Sequence, residues 1–143
     1  MKLQEMSGLQ VMQAFAQGLI PTPSIAKTMP MTVESVELNR VVFRATANHT
    51  HTNPLGGVHG GFAATVLDSV TGCATHTALD AGEGYGTIEL GVKMCKPIPF
   101  DVTLRAEGRV INKTRSLVIS EGEIRDDAGT LYAYATATCM ILR

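Results

Sequence analysis

Residues 53–78 read N-P-L-G-G-V-H-G-G-F-A-A-T-V-L-D-S-V-T-G-C-A-T-H-T-A, and the rest of the chain is organised around them. Four glycines fall within six residues (Gly56, Gly57, Gly60, Gly61), and an apolar run with one carboxylate, Asp68, follows. Phe62, Ala63, Val66, Leu67, Val70, Cys73, Ala74 and Thr77 recur at the steps of a helix face, so a buried helix is predicted from Gly60 onward. Ala64, Asp68, Thr71, Gly72 and Thr75 form a second stripe of small or hydroxylated side chains, across which another backbone or a ligand can come close. A carboxylate on such a helix needs a reason, because burying an unpaired charge is expensive. The start of the helix carries unsatisfied N–H groups and a partial positive charge. Gly60 and Gly61 there would offer bare donors to a developing oxyanion. Taken singly, the glycines read as a loop entering a helix and the acid as a polar contact. Together they put an electrophile-polarising group and a base or nucleophile on one helix, near one another.

The run H-T-N-P-L-G-G-V-H-G-G-F-A-A-T-V-L-D-S resembles the signature of the hot-dog-fold acyl-CoA thioesterases, in the PaaI-like branch of the 4-hydroxybenzoyl-CoA thioesterase superfamily. Asn53, His59-Gly60-Gly61 and Asp68 keep the family spacing, and the likeness extends from about Thr32 to the C-terminus. It implies an acyl- or aryl-CoA thioester substrate, with Asp68 as nucleophile or general base and the Gly60 N–H as oxyanion donor. Asn53 would orient water or the thioester, His59 would support the loop or the thioester oxygen, and Thr87 would position water beside the acid. Proteins of this kind pair their sheets across a dimer and stack dimers into tetramers, so a homo-oligomer is expected. Two rival readings come with the fold: a hydratase or dehydratase acting on enoyl or hydroxyacyl thioesters, and a non-catalytic acyl-thioester binder.

The remaining sequence bounds these expectations. At 143 residues, 45% of them hydrophobic, the chain has the size of one domain with a substantial core. Residues 1–31 read as an N-terminal helix and connection, and 32–143 as the core of a single domain. A net charge of −1 gives no electrostatic footprint for nucleic acid or an anionic membrane. Cys73, Cys95 and Cys139 are odd in number and set in apolar surroundings, which suggests reduced core thiols and a cytoplasmic protein. No apolar run has the length of a signal peptide or a membrane span.

Leu3 to Leu19 is modestly amphipathic and ends at Gly18 and Pro21. Ile25 to Met31 reads as a plain linker in preference to a lid over a pocket. Period-two patterns then mark strands at Thr32–Leu38 and Arg40–Ala47, turned at Asn39. Beyond the helix they recur at Tyr85–Cys95, at Val102–Val110, at Ser116–Arg125 and at Leu131–Leu142. Along the first of these later strands, Ile88, Leu90, Val92 and Met94 are expected on one face and Thr87, Glu89, Gly91 and Lys93 on the other. The fold class is therefore α+β, a hot-dog fold: an antiparallel sheet wrapped around one long central helix, with an extra N-terminal helix.

Lys93, Lys96, Lys113 and Arg115 stand at strand ends and loops, where they could meet coenzyme A phosphates. His49 and His51 lack the helical His-Glu spacing or clustered thiols of a zinc site, so no metal is expected, and no cofactor beyond the CoA of the substrate. Neither a Gly-x-Ser-x-Gly elbow nor a phosphate-binding glycine loop occurs.

Overall fold

The computed structural model describes residues 2–143. After a short 3-10 turn, helix α1 (Gly8–Ala16) and a single-turn helix α2 (Ile25–Thr28) lead into strands β1 (Met31–Glu37) and β2 (Arg40–Thr46). The long helix α3 (Gly60–Thr77) follows. Strands β3 (Gly84–Met94), β4 (Thr103–Lys113), β5 (Leu117–Arg125) and β6 (Leu131–Leu142) complete the chain. All six strands form one antiparallel sheet in the order β1-β2-β4-β5-β6-β3, packed on α3. This is the predicted hot-dog architecture. Among the described residues, no helix is long and apolar enough to cross a membrane.

Local chemistry sets the N-terminal boundaries. The helix expected over residues 3–19 begins only at Gly8, because Ser7 and Gln10 close a capping box: Ser7 Oγ accepts from the Gln10 N–H while Gln10 Oε1 accepts from the Ser7 N–H. It ends where Gly18 takes a left-handed φ of 72° and the Leu19 N–H turns back to the Ala14 carbonyl.

The sheet meets α3 most closely at a pair of glycines. Gly108 of β4 and Gly122 of β5 are cross-strand partners lying under Val70 and Thr71. A β carbon at Gly108 would stand 2.1 Å from the Val70 carbonyl oxygen, a backbone atom that cannot step aside. The small stripe of the helix therefore serves in part to admit the sheet: Thr71 and Thr75 are fully buried, and the Thr75 and Ser120 hydroxyls lie 3.0 Å apart. Gly108→Ala is expected to destabilise the fold by about 3 kcal/mol, measurable as a lowered denaturant midpoint. The exposed turn substitution Ala128→Ser serves as a control and should leave the midpoint in place.

Two sequence expectations fail at the sheet's edge and in the thiols. Strand β3 carries a bulge at Ile88, since Thr87 pairs with Cys139 and Glu89 with the adjacent Thr138. The extra residue inverts the alternation, so Tyr85 and Thr87 share the helix-facing side with Leu90 and Val92, whereas Ile88 is 56% exposed. Cys139 is buried and Cys73 half-buried, but Cys95 is exposed at the end of β3.

Candidate active site

Strands β1 and β3 are the two edges of the curled sheet, and the seam between them is not closed by strand pairing. The α3 face carrying Asp68, Ser69, Cys73 and His76 looks into this seam, and the segment from Thr22 to Ala26 together with α1 walls it off. The result is a cavity of about 380 Å³ with a mainly apolar lining, including Met12, Phe15 and Phe43. The 22–26 segment is thus a wall of the pocket, where the sequence reads as a plain linker. It is fastened by His51, whose buried ring donates from Nε2 to the Thr28 carbonyl at 2.7 Å and accepts at Nδ1 from the Asn48 N–H at 2.9 Å. With both ring nitrogens engaged, His51 has no lone pair free for a metal. Among the described residues, no three His, Cys, Asp or Glu side chains gather in a metal-holding group.

Asp68 stands exposed at the mouth of this cavity, not buried as a helix acid on an apolar run would suggest. Thr87 donates from Oγ1 to Asp68 Oδ1 at 3.0 Å, a contact that exists only because the bulge at Ile88 turns Thr87 toward the helix. The second carboxylate oxygen has no donor among the described residues and can accept from a water.

The glycine end of α3 opens into a different cavity, of about 330 Å³, lined by Asn53, His59, Gly60, Met94, Lys96 and neighbouring residues. His59 caps the helix: its Nδ1 accepts the Gly61 N–H at 2.7 Å, which places the ring proton on Nε2. Gly61 is therefore not the bare donor expected of it. The Gly60 N–H has no acceptor among the described residues. Asn53, which lines the cavity, spends its side-chain oxygen on the loop, accepting from the Leu55 and Gly57 N–H groups at 2.9 and 3.0 Å, and its amide NH2 has no acceptor among the described residues.

Gly60 and Asp68 are not near one another within a chain, contrary to the sequence expectation. Eight residues of helix separate them, about 12 Å at 1.5 Å per residue, and they open into separate cavities. Of the four candidate CoA cations, Lys96 lines the Gly60 cavity and Lys93 is exposed nearby on β3. Lys113 instead caps the far end of α3, donating to the Ala78 carbonyl at 2.6 Å, and Arg115 lies beside Arg143 at that same end. Ser69, Cys73, His76 and Tyr85 were missed as cavity residues, although steps of four and three from Ser69, the neighbour of Asp68, lead to Cys73 and His76.

A curled antiparallel sheet on one long helix, with a carboxylate on that helix facing a cleft, defines a hot-dog protein. The family model for the thioesterase superfamily matches residues 55–133. A proposed esterase of Saccharolobus solfataricus is 30% identical over 122 residues, covering 83% of this chain and 84% of its own length. Among solved structures, a phenylacetic acid degradation-related protein of Ralstonia eutropha JMP134, a proposed thioesterase, is 29% identical; the match has a TM-score of 0.83 and covers 90% of this chain and 98% of that one. The PaaI protein of the E. coli phenylacetic acid degradation operon shares the fold at a TM-score of 0.83 over 96% of this chain and 97% of its own, with 16% identity. The chain belongs to the thioesterase superfamily, as a thioester hydrolase of the PaaI-like, hot-dog kind.

Proposed function

We propose that the protein hydrolyses acyl-CoA thioesters at a site assembled from two copies of the chain. The observation that carries this reading is the division of the chemistry: an acid held by Thr87 at the mouth of an apolar cavity, and a free N–H at Gly60 in a separate cavity about 12 Å away. A thioester carbonyl must touch both groups at about 3 Å, which one chain does not allow. Strand β3 offers the solution. It is an 11-residue edge paired on one side only, and it exposes Ile88 and Met94. Antiparallel pairing with its own copy about a two-fold axis near Glu89 sets the Met94 end of one strand against the Gly84 end of the other. The side chain of Met94 lies against Gly60, so Gly60 of the partner subunit is carried toward Asp68 and Thr87.

In such a site Asp68 takes a proton from water, or attacks directly, and a C–O bond forms at the carbonyl carbon. The carbonyl π electrons move to oxygen, where the partner's Gly60 N–H stabilises the charge, and they return as the C–S bond breaks. The proton held by Asp68 passes to sulfur and coenzyme A leaves as its thiol. On the direct route it leaves as thiolate, and water then hydrolyses the acyl-Asp68 anhydride, releasing the acid and supplying the thiol proton. The Asn53 amide and Lys96 lie beside that donor, suited to the thioester and the CoA phosphates. Lys93, exposed next to Met94 on β3, is a further candidate for the phosphates. Water and protein groups suffice, with no metal or redox cofactor.

The test is a panel of aryl and fatty acyl-CoAs followed by trapping of the released thiol. Thiol release is expected for at least one of them, whereas ligand-dependent stabilisation without thiol would favour a binding protein. Thr87→Val, which removes the hydrogen bond and keeps the shape, is expected to lower kcat about ten-fold, and Thr87→Ser to restore most of it.

A further inference from the structure

The cavity behind Asp68 has a second polar end that hydrolysis itself does not use. His76 is on the same α3 face, eight residues beyond Asp68 and so about 12 Å further along the helix, and it lines the same cavity. Its ring is half-buried and packs against Tyr85, with centroids 5.5 Å apart and planes inclined at 52°. Neither ring nitrogen has a hydrogen-bond partner among the described residues, and neither is sealed from solvent. Burial lowers the affinity of the imidazole for a second proton, so it stands neutral, with one donor and one acceptor. Around it the surroundings are apolar or held neutral: burial pushes the Cys73 thiol up to about 12 and raises the Tyr85 phenol as well. Of the other hydroxyls on the cavity wall, Ser69 is half-buried beside Asp68, at the opposite end from His76, and Thr22, Thr32 and Thr87 are exposed at the rim.

A neutral, unpartnered imidazole at the end of an apolar channel is poorly matched to a plain alkyl terminus, which would strip it of water and offer nothing back. We infer that His76 reads the far end of the acyl group, and that the enzyme favours acyl chains bearing a hydroxyl at that end over chains that stop in a methyl group. This rests on the proposed function, with the thioester carbonyl at Asp68 and the acyl group extended along α3 toward His76. A site built to hydrogen-bond a substrate hydroxyl discriminates against the analogue lacking it more sharply than an apolar pocket separates chain lengths.

The test compares kcat/KM for hexanoyl-CoA and 6-hydroxyhexanoyl-CoA, a pair differing only at the terminus. The wild-type protein is expected to prefer the hydroxylated substrate about ten-fold. His76→Leu should bring the ratio to about one or below by slowing the hydroxylated substrate while sparing the plain one, and His76→Gln should keep part of the preference. A wild-type ratio of one or less overturns the inference without recourse to any variant, as does a His76→Leu protein with a native melting transition and an unchanged ratio. In both cases continued thiol release would leave the hydrolase reading standing. If neither substrate nor any member of the wider acyl-CoA panel released thiol, the proposed function would fall and the inference with it.

Discussion

Asp68→Asn is expected to lower kcat by about 10²–10⁴ on every acyl-CoA that the wild-type protein hydrolyses, with a much smaller change in KM. The substitution keeps the size of the side chain and its ability to accept from the Thr87 hydroxyl, so the mouth of the cavity retains its shape. What it removes is a basic oxygen that can take a proton from water or attack carbon. Because Asp68 is exposed, no buried charge is lost, and the melting temperature should hardly move. A loss of turnover at constant stability is therefore the signature of a group acting on the reaction. Steady-state kinetics together with a thermal melt on the same preparation would read both. A variant as active as the parent would remove Asp68 from the chemistry.

Gly60→Pro is the second large effect expected, a fall of about 10²–10³ in kcat. A backbone N–H cannot be deleted by an ordinary side-chain change, but proline lacks one, and the first position of a helix tolerates it. The preceding residue has to be extended, and His59 already is, at φ −62° and ψ 135°. The ring would meet the flexible end of Met94, whose Sδ and Cε lie 2.7 Å from the position of a β carbon at residue 60. Met94→Ala in the same chain relieves that contact and separates a steric effect from the missing donor. Gly60→Ala, which keeps the N–H, should retain most activity in the Met94→Ala background.

Much of this was legible in the sequence, and the failures have physical causes. The central helix and the six strands could be placed because apolar residues recur at a helical period through residues 60–77 and at a period of two elsewhere. The Gly108–Gly122 pair could not be seen, since two glycines in separate strands mean nothing until the register joins them. Thr87 was singled out by resemblance, yet simple alternation would have turned it away from the helix; one bulged residue at Ile88 decides its face. The wall formed by residues 22–26 was missed because proline-rich connections carry no periodic signal. Most consequentially, a helix drawn from sequence puts Gly60 and Asp68 on one element and hides the fact that eight residues of rise keep them from a common substrate atom.

The shared site can be tested by complementation between two inactive chains. Asp68→Asn and Gly60→Pro subunits, co-expressed with different tags and purified through both, give a mixed dimer. One composite site in it carries both defects, and the other carries neither. Random pairing of the two chains should recover about a quarter of wild-type turnover, and the doubly tagged fraction about half, because one of its two sites is whole. Activity no higher than that of the two parent variants, in a mixed dimer shown to be folded, would mean that Asp68 and Gly60 do not act across a pair of subunits.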